Sequence, residues 1–274
     1  MKKGLGQAET RLFAYVQMRG LRTVRAGQLT KPLQLSAIQE RKLFSRPAKA
    51  ELIARVWRGL YLVPSKLPLG GKWTPDEILA LNTLMNEQKG RYQICGANAF
   101  NRYGFDEQIP TRVYAYNNRL SGDRRIGSVA LTLIKVADDR LGDTEQIDTA
   151  EGETAVYSSR VRTLLDAVYD WSRFNSLPRS YQWIRKELKA KRVTPAELVS
   201  VTLKYGDIGT IRRMGALLER DGVGSPLLGK LKKALPKTSS LIPWIPTKLK
   251  RGTVNRRWGV VINEQNQTAS HNCS

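Results

Sequence analysis

A chain of 274 residues with 41% hydrophobic and 26% charged residues has enough apolar side chains for two modest cores, which excludes wholesale disorder. It holds no run of 18 apolar residues and no apolar stretch behind Met1-Lys2-Lys3-Gly4, so a soluble cytoplasmic protein with no membrane partner is predicted. The formal net charge is +22, and residues 1–66 carry 14 Lys/Arg against 3 Asp/Glu, residues 67–170 carry 12 against 15, and residues 171–274 carry 20 against 6. Two basic regions flanking a near-neutral one favour a polyanionic partner, because clustered cations on a folded unit displace counterions from phosphate.

Taken in chain order, Leu12, Tyr15, Val16 and Arg19 stand at helical spacing and predict a support helix from Gln7 to Arg19, stopped by Gly20. Thr23 to Leu29 is expected as a short second helix capped by Thr23. A third helix begins behind Ser36, where Ser36 and Gln39 form a capping box, and Pro47 is expected to kink or end its first part. Leu52 to Pro64 follows as two short apolar strands around a turn bearing Arg55 and Arg58. Helix, helix, turn, helix and ribbon is the order of a winged helix-turn-helix, with the third helix in the major groove.

Val63 to Gly71 interrupts every period with Pro and Gly, and the domain boundary is placed there. The next helix is predicted from Thr74-Pro75-Asp76-Glu77, with Thr74 as its cap, to about Lys89. Tyr92 to Cys95, Thr111 to Tyr116, Ser128 to Val136 and Thr154 to Tyr157 read as strands of a mixed sheet, interrupted by a short helix from Ala97 to Tyr103. The acidic stretch Asp138 to Gly152 is expected as a solvated connection. Val161, Leu164, Leu165, Val168 and Trp171 predict a helix lying on the sheet. Thr194-Pro195-Ala196-Glu197 and Asp207 mark two further helix starts, and Arg257 to Asn263 is expected as a last strand returning to the sheet. The fold class is α+β: a winged helix-turn-helix over 1–66, a larger α+β domain over 72–263, and a loose tail over 264–274.

The chemistry available is narrow. Cys95 and Cys273 are far apart, and the single histidine, His271, falls in the tail, so no zinc motif and no histidine-based nucleophile system can be assembled. Asp138-Asp139 would point to opposite faces of a strand, and Glu187-Leu188-Lys189 sits in a helical, basic pattern unlike the strand a nuclease motif needs. Gly4-x-Gly6 and Gly222-x-Gly224 lack the third glycine of a nucleotide loop. Trp171, Phe174, Tyr181 and Trp183 have the spacing of core residues. No catalytic group, cofactor or metal is therefore expected, and the protein reads as not an enzyme.

Double-stranded DNA is the partner the head suggests. Gln34, Ser36, Gln39, Arg41 and Lys42 stand at the start of the third helix, where side chains reach base edges, although Gln39 cannot cap the helix and read a base together. Lys31, Arg46, Arg55 and Arg58 are placed to hold phosphates. Arg185, Lys186, Lys189, Lys191, Arg192, Lys230, Lys232 and Lys233 offer a second cationic surface, for DNA or for another acidic macromolecule. Asp166 and Arg212-Arg213 are open to two readings, a structural ion pair or an arginine face with a functional role.

Ordered segments across nearly the whole chain resemble the AbiE-type antitoxins of bacterial abortive-infection toxin–antitoxin systems. They are Arg58-Gly59-Leu60-Tyr61-Leu62-Val63-Pro64, Gln108-Ile109-Pro110-Thr111-Arg112-Val113-Tyr114, Ser158-Ser159-Arg160-Val161-Arg162-Thr163-Leu164-Leu165-Asp166, Ile211-Arg212-Arg213-Met214-Gly215-Ala216-Leu217-Leu218-Glu219 and Asn255-Arg256-Arg257-Trp258-Gly259-Val260-Val261-Ile262-Asn263. The resemblance implies a phage-defence protein whose winged helix binds operator repeats and represses its own promoter, while its C-terminal domain counteracts a nucleotidyltransferase toxin. The chain lacks the combined Gly-Ser and Asp-x-Asp pattern of such a toxin, and Arg46-Pro47 departs from the family's unbroken helix. The alternatives are a stand-alone regulator with a sensing or dimerising C-terminal domain, and a nucleic-acid-processing enzyme with a winged-helix targeting module.

Overall fold

A computed structural model describes residues 5–67, 72–237 and 240–264. The tail expected over 264–274 falls outside them from residue 265 on, and so do His271 and Cys273. Packing divides the chain into two compact units. One is Met1–Ile94 with Pro110–Leu141 and Gln146–Val156, and the other is Cys95–Ile109 with Gly142–Glu145 and Tyr157–Ser274. The interruption between residues 66 and 72 lies inside the first unit.

The first unit opens with α1 (Gln7–Met18), whose buried Leu12, Phe13 and Val16 form the stripe that its spacing predicts. The expected second helix is instead strand β1 (Thr23–Arg25), antiparallel to β3 (Leu60–Leu62), with Thr23 opposite Leu62 and Arg25 opposite Leu60. Two β-branched or stiff residues beside an open strand edge find backbone partners there that a single helical turn could not supply.

Helix α2 (Ala37–Lys49) starts with the predicted box: the Gln39 N–H donates to the Ser36 hydroxyl at 3.2 Å and the Ser36 N–H to the Gln39 side chain at 2.8 Å. It runs through Pro47 to Lys49 and is not ended by it. A proline this near the end of a helix removes one hydrogen bond, and here its ring is buried.

Strand β2 (Ala54–Trp57) pairs with β3 across the two-residue turn Arg58-Gly59, where Gly59 supplies φ +74°. Arg55 therefore lies in a strand and only Arg58 in the turn. Leu12, Phe13, Leu29, Leu43, Phe44 and Val63 close one core under these elements, and Phe44 stacks on Tyr61 with ring centroids 4.6 Å apart.

Helix α3 (Glu77–Glu87) is capped by Asp76, which accepts from the Leu79 N–H at 2.8 Å, two residues later than Thr74. A six-stranded sheet completes the fold in the order β6-β7-β5-β4-β9-β8, from β4 (Tyr92–Ile94), β5 (Val113–Asn117), β6 (Gly122–Ile126), β7 (Val129–Lys135), β8 (Thr144–Asp148) and β9 (Thr154–Ser158). β5 and β7 are parallel while β4–β5 and β6–β7 are antiparallel, so the sheet is mixed. β8 lies within the stretch expected to be only a connection. Strand, head and sheet meet within this unit: Trp73 donates its N–H to the Glu51 carbonyl at 2.8 Å, and Arg124 lies 4.9 Å from the Trp57 ring.

The second unit is helical: α4 (Gly96–Arg102), α5 (Arg160–Tyr169), α6 (Trp171–Phe174), α7 (Arg179–Lys189), α8 (Pro195–Tyr205), α9 (Ile208–Arg220) and α10 (Ser225–Lys233). Thr194 and Asp207 cap α8 and α9 as predicted. Leu164, Ala167 and Val168 of α5 pack among helices, with Tyr181, Leu198, Met214 and Leu217, rather than on a sheet. The last predicted strand, β12 (Val260–Ile262), joins a separate sheet, lying between β10 (Ile242–Pro243) and β11 (Thr253–Asn255). Gly215 permits this: a Cβ there would collide with the Trp258 ring. The protein is thus α+β with a mixed sheet, and no described helix is long and apolar enough to cross a membrane.

Candidate nucleic-acid interface

The head's outer face follows from the burial of α2. Glu40, Leu43, Phe44 and Pro47 point inward, which leaves Ile38, Lys42, Ser45 and Lys49 along the opposite, exposed face. Between α2 and the β2–β3 ribbon runs an open groove, lined by Arg41, Ser45 and Lys49 on one side and by Arg55, Arg58 and Tyr61 on the other.

Lys31, Arg41, Lys42, Lys49, Arg55 and Arg58 are all exposed, and no ion pair engages any of them among the described residues. Elsewhere in the same head two arginines are neutralised, while Arg11, which donates to the Leu33 carbonyl at 3.0 Å, and Arg19, 5.9 Å from the Tyr15 ring, have no ion pair among the described residues. Arg22 pairs with Glu153 at 2.8 Å, and Arg25 pairs with Glu87, whose carboxyl that hydrogen bond holds below its ordinary range. Arg46 falls between the two cases, with Nε 3.6 Å from Glu9.

Glu40 is the acid in the groove's wall, and sequence reasoning passed it over. Its carboxylate is 3% exposed and accepts the N–H groups of Gly27 at 2.6 Å and Leu29 at 2.8 Å, which ties the chain between β1 and α2 to the helix. The available signal was its position, three, four and seven residues before Leu43, Phe44 and Pro47 on the inward face. Gln34 is exposed in the turn ahead of the helix, at φ +52°. Ser36 and Gln39 are engaged with each other in the cap, which leaves Gln34, Arg41 and Lys42 as the unengaged members of the predicted reading set.

The C-terminal surface predicted from Arg185, Lys186, Lys189, Arg212 and Arg213 does not hold together. Lys186 and Lys189 are exposed on α7, while Arg185 is half-buried and pairs with Asp221 at 2.9 Å. Arg212 and Arg213 are 3% and 8% exposed, and burial pulls both guanidinium pKa values down. Arg212 donates to the Trp258 carbonyl at 2.7 Å and to the carbonyls of Ser240 and Gly259, and Arg213 to the Pro243 carbonyl at 3.3 Å. These arginines pin the small sheet to α9. Asp166 takes neither of them; it pairs with Arg162 at 2.9 Å, and that pair is 0% and 1% exposed.

The rest of the predicted chemistry is accounted for by packing. Glu187 is buried between Arg160 at 2.9 Å and Arg192 at 2.6 Å; burial draws its pKa upward, but hydrogen bonds from Arg192 and Arg160 outweigh this and leave it lowered. Tyr181 stacks on Trp244 at 3.9 Å, and Trp183 and Phe174 pack on Phe100. Asp138 and Asp139 lie in a short exposed 3-10 helix, Asp138–Arg140, and not in a strand, and Asp138 pairs with Arg91 at 3.1 Å. Among the described residues no group of three or more His, Cys, Asp or Glu side chains is placed to hold a metal ion.

The class these features define is an α+β protein with a basic head bearing a cationic groove. No family model and no curated protein matches the chain. The crystal structure of the RV2827C protein from Mycobacterium tuberculosis is similar over 94% of this chain and 92% of that one, with a TM-score of 0.55 and 12% sequence identity, a likeness of fold.

Proposed function

We propose that the protein binds double-stranded DNA with its head, a winged helix-turn-helix in which α2 enters the major groove and the β2–β3 ribbon follows the adjoining phosphates. The observation carrying this reading is the groove itself: Arg41 and Lys49 on one wall and Arg55 and Arg58 on the other are exposed and have no acidic partner among the described residues. Unpaired guanidinium and ammonium groups at the two walls of a groove are available to phosphate oxygens. The order helix, strand, helix, strand, strand, with a capped helix presenting its outer face, supports the same reading. Arg41 and Lys42 are assigned to base edges, and Lys31, Lys49, Arg55 and Arg58 to phosphates.

On this reading the protein is a non-catalytic repressor, and its resemblance to the AbiE-type antitoxins extends the proposal to an operator of repeats in its own promoter and to antagonism of a nucleotidyltransferase toxin. Footprinting the DNA upstream of its gene tests the first extension, with protected repeats expected. Co-expression with a neighbouring nucleotidyltransferase tests the second, with restored growth expected. Equal affinity for promoter and scrambled duplexes would contradict specific repression.

A further inference from the structure

The outer face of α2 holds one large apolar side chain among polar and cationic ones. Ile38 is 67% exposed in the first turn of the helix, and Lys42, Ser45 and Lys49 continue the same face one turn after another. It lies next to a head core that already contains Leu33, Leu43 and Phe44, yet it points away from that core. An aliphatic side chain presented to water at the N-terminal end of a cationic helix face gains from an apolar contact made only on binding. Among the four bases, the apolar group on a major-groove edge is the C5-methyl of thymine.

We propose that Ile38 is a specificity-determining residue that packs on a thymine methyl, so the preferred site contains a thymine at the base step beneath the first turn of α2. The inference rests on the DNA-binding reading above. Lys42, one turn on, reaches the neighbouring base edge, and the capped start of the helix fixes where Ile38 sits. Removal of one methyl contact is expected to weaken binding about fourfold, the affinity equivalent of roughly one buried methylene.

The test uses the full chain and the duplex most enriched from a random pool by the wild-type protein. Each thymine of that duplex is replaced singly by deoxyuridine, which removes the methyl and leaves the pairing edge unchanged. Wild type should lose about fourfold at one position. Ile38→Ala should bind the thymine duplex more weakly and show no further loss at that position, whereas Ile38→Val should keep the sensitivity. A deoxyuridine penalty undiminished in Ile38→Ala, or no sensitive position in the wild type, overturns the assignment of Ile38 while leaving DNA binding intact. Enrichment of no sequence at all overturns the sequence-reading role of the head itself.

Discussion

The head and the C-terminal unit are both strongly basic, yet their arginines differ in how many are held by acidic or carbonyl partners, while lysines such as Lys186, Lys189 and Lys230 are exposed in the second unit too. In the head, Arg41, Lys49, Arg55 and Arg58 line an open groove, and Lys42 lies on the outer face of α2, none with an acidic partner among the described residues. In the second unit most arginines are occupied: Arg162 by Asp166, Arg185 by Asp221, Arg192 and Arg160 by Glu187, Arg257 by Glu219, and Arg212 by three backbone carbonyls, whereas Arg251 and Arg256 are exposed. Composition alone makes the two regions look alike. Their partners differ: an arginine ion-paired to a carboxylate has its charge already compensated inside the protein, whereas the groove-lining cations of the head have no such counter-charge.

Substitutions in the two regions should therefore separate stability from binding. The largest effect is expected for Arg162→Ala, which leaves Asp166 charged and buried; a loss of about 3–5 kcal/mol is expected in denaturant unfolding. DNA affinity per folded molecule should stay as in the wild type, and a matching loss of affinity would erase the contrast. Replacing Arg55 and Arg58 together by Ala should do the reverse. Unfolding should be unchanged, affinity should fall on every duplex, and the slope of log affinity against log salt should flatten by roughly 2.

Smaller effects sharpen the same division. Ser36→Ala removes the hydroxyl end of the α2 cap and should cost about 1 kcal/mol of stability. Because that cap sets the start of the helix proposed to read the duplex, a loss of sequence preference should accompany it, seen in competition between preferred and scrambled duplexes. The smallest effect is pH-dependent. Glu187 has a lowered folded pKa, so its contribution is fully present above the unfolded carboxyl value near 4.5 and is lost as pH falls through the folded value. Wild type should lose stability below about pH 4.5, and Glu187→Gln, less stable at neutral pH, should lose less of it over that window. Parallel pH curves for the two proteins would remove Glu187 from the account.

Much of this fold is legible where local chemistry decides it. The Ser36–Gln39 and Thr194–Glu197 boxes, the Asp207 cap and the apolar stripe of α1 each announce an element within a few residues. Elements that depend on distant partners were not legible. β1 is three residues whose strand character comes from the edge of β3, some 35 positions away. β6 and β8 are charged edge strands, GDRRI and TEQID, with too few apolar positions to alternate visibly.

The candidate site was legible in the same uneven way. Arg55, Arg58, Arg41 and Lys42 follow from a cap and a ribbon in the right order. The inward Arg212 and Arg213 did not, since the carbonyls that receive them belong to Pro243, Trp258 and Gly259, and no sequence pattern announces a backbone acceptor. Glu40 escaped for a related reason: a carboxylate on an apolar helix face reads as an irregularity until the N–H groups of Gly27 and Leu29 are seen to meet it.

The central claim is that the head's unpaired cations bind the DNA backbone. Its most direct measurement is the affinity of the whole protein for a labelled duplex across a salt series, beside the Arg55→Ala, Arg58→Ala variant. With about six phosphates engaged, the wild-type slope should lie near −5 and the variant's nearer −3. Superimposable curves for the two proteins, or a wild-type affinity indifferent to salt, would contradict it.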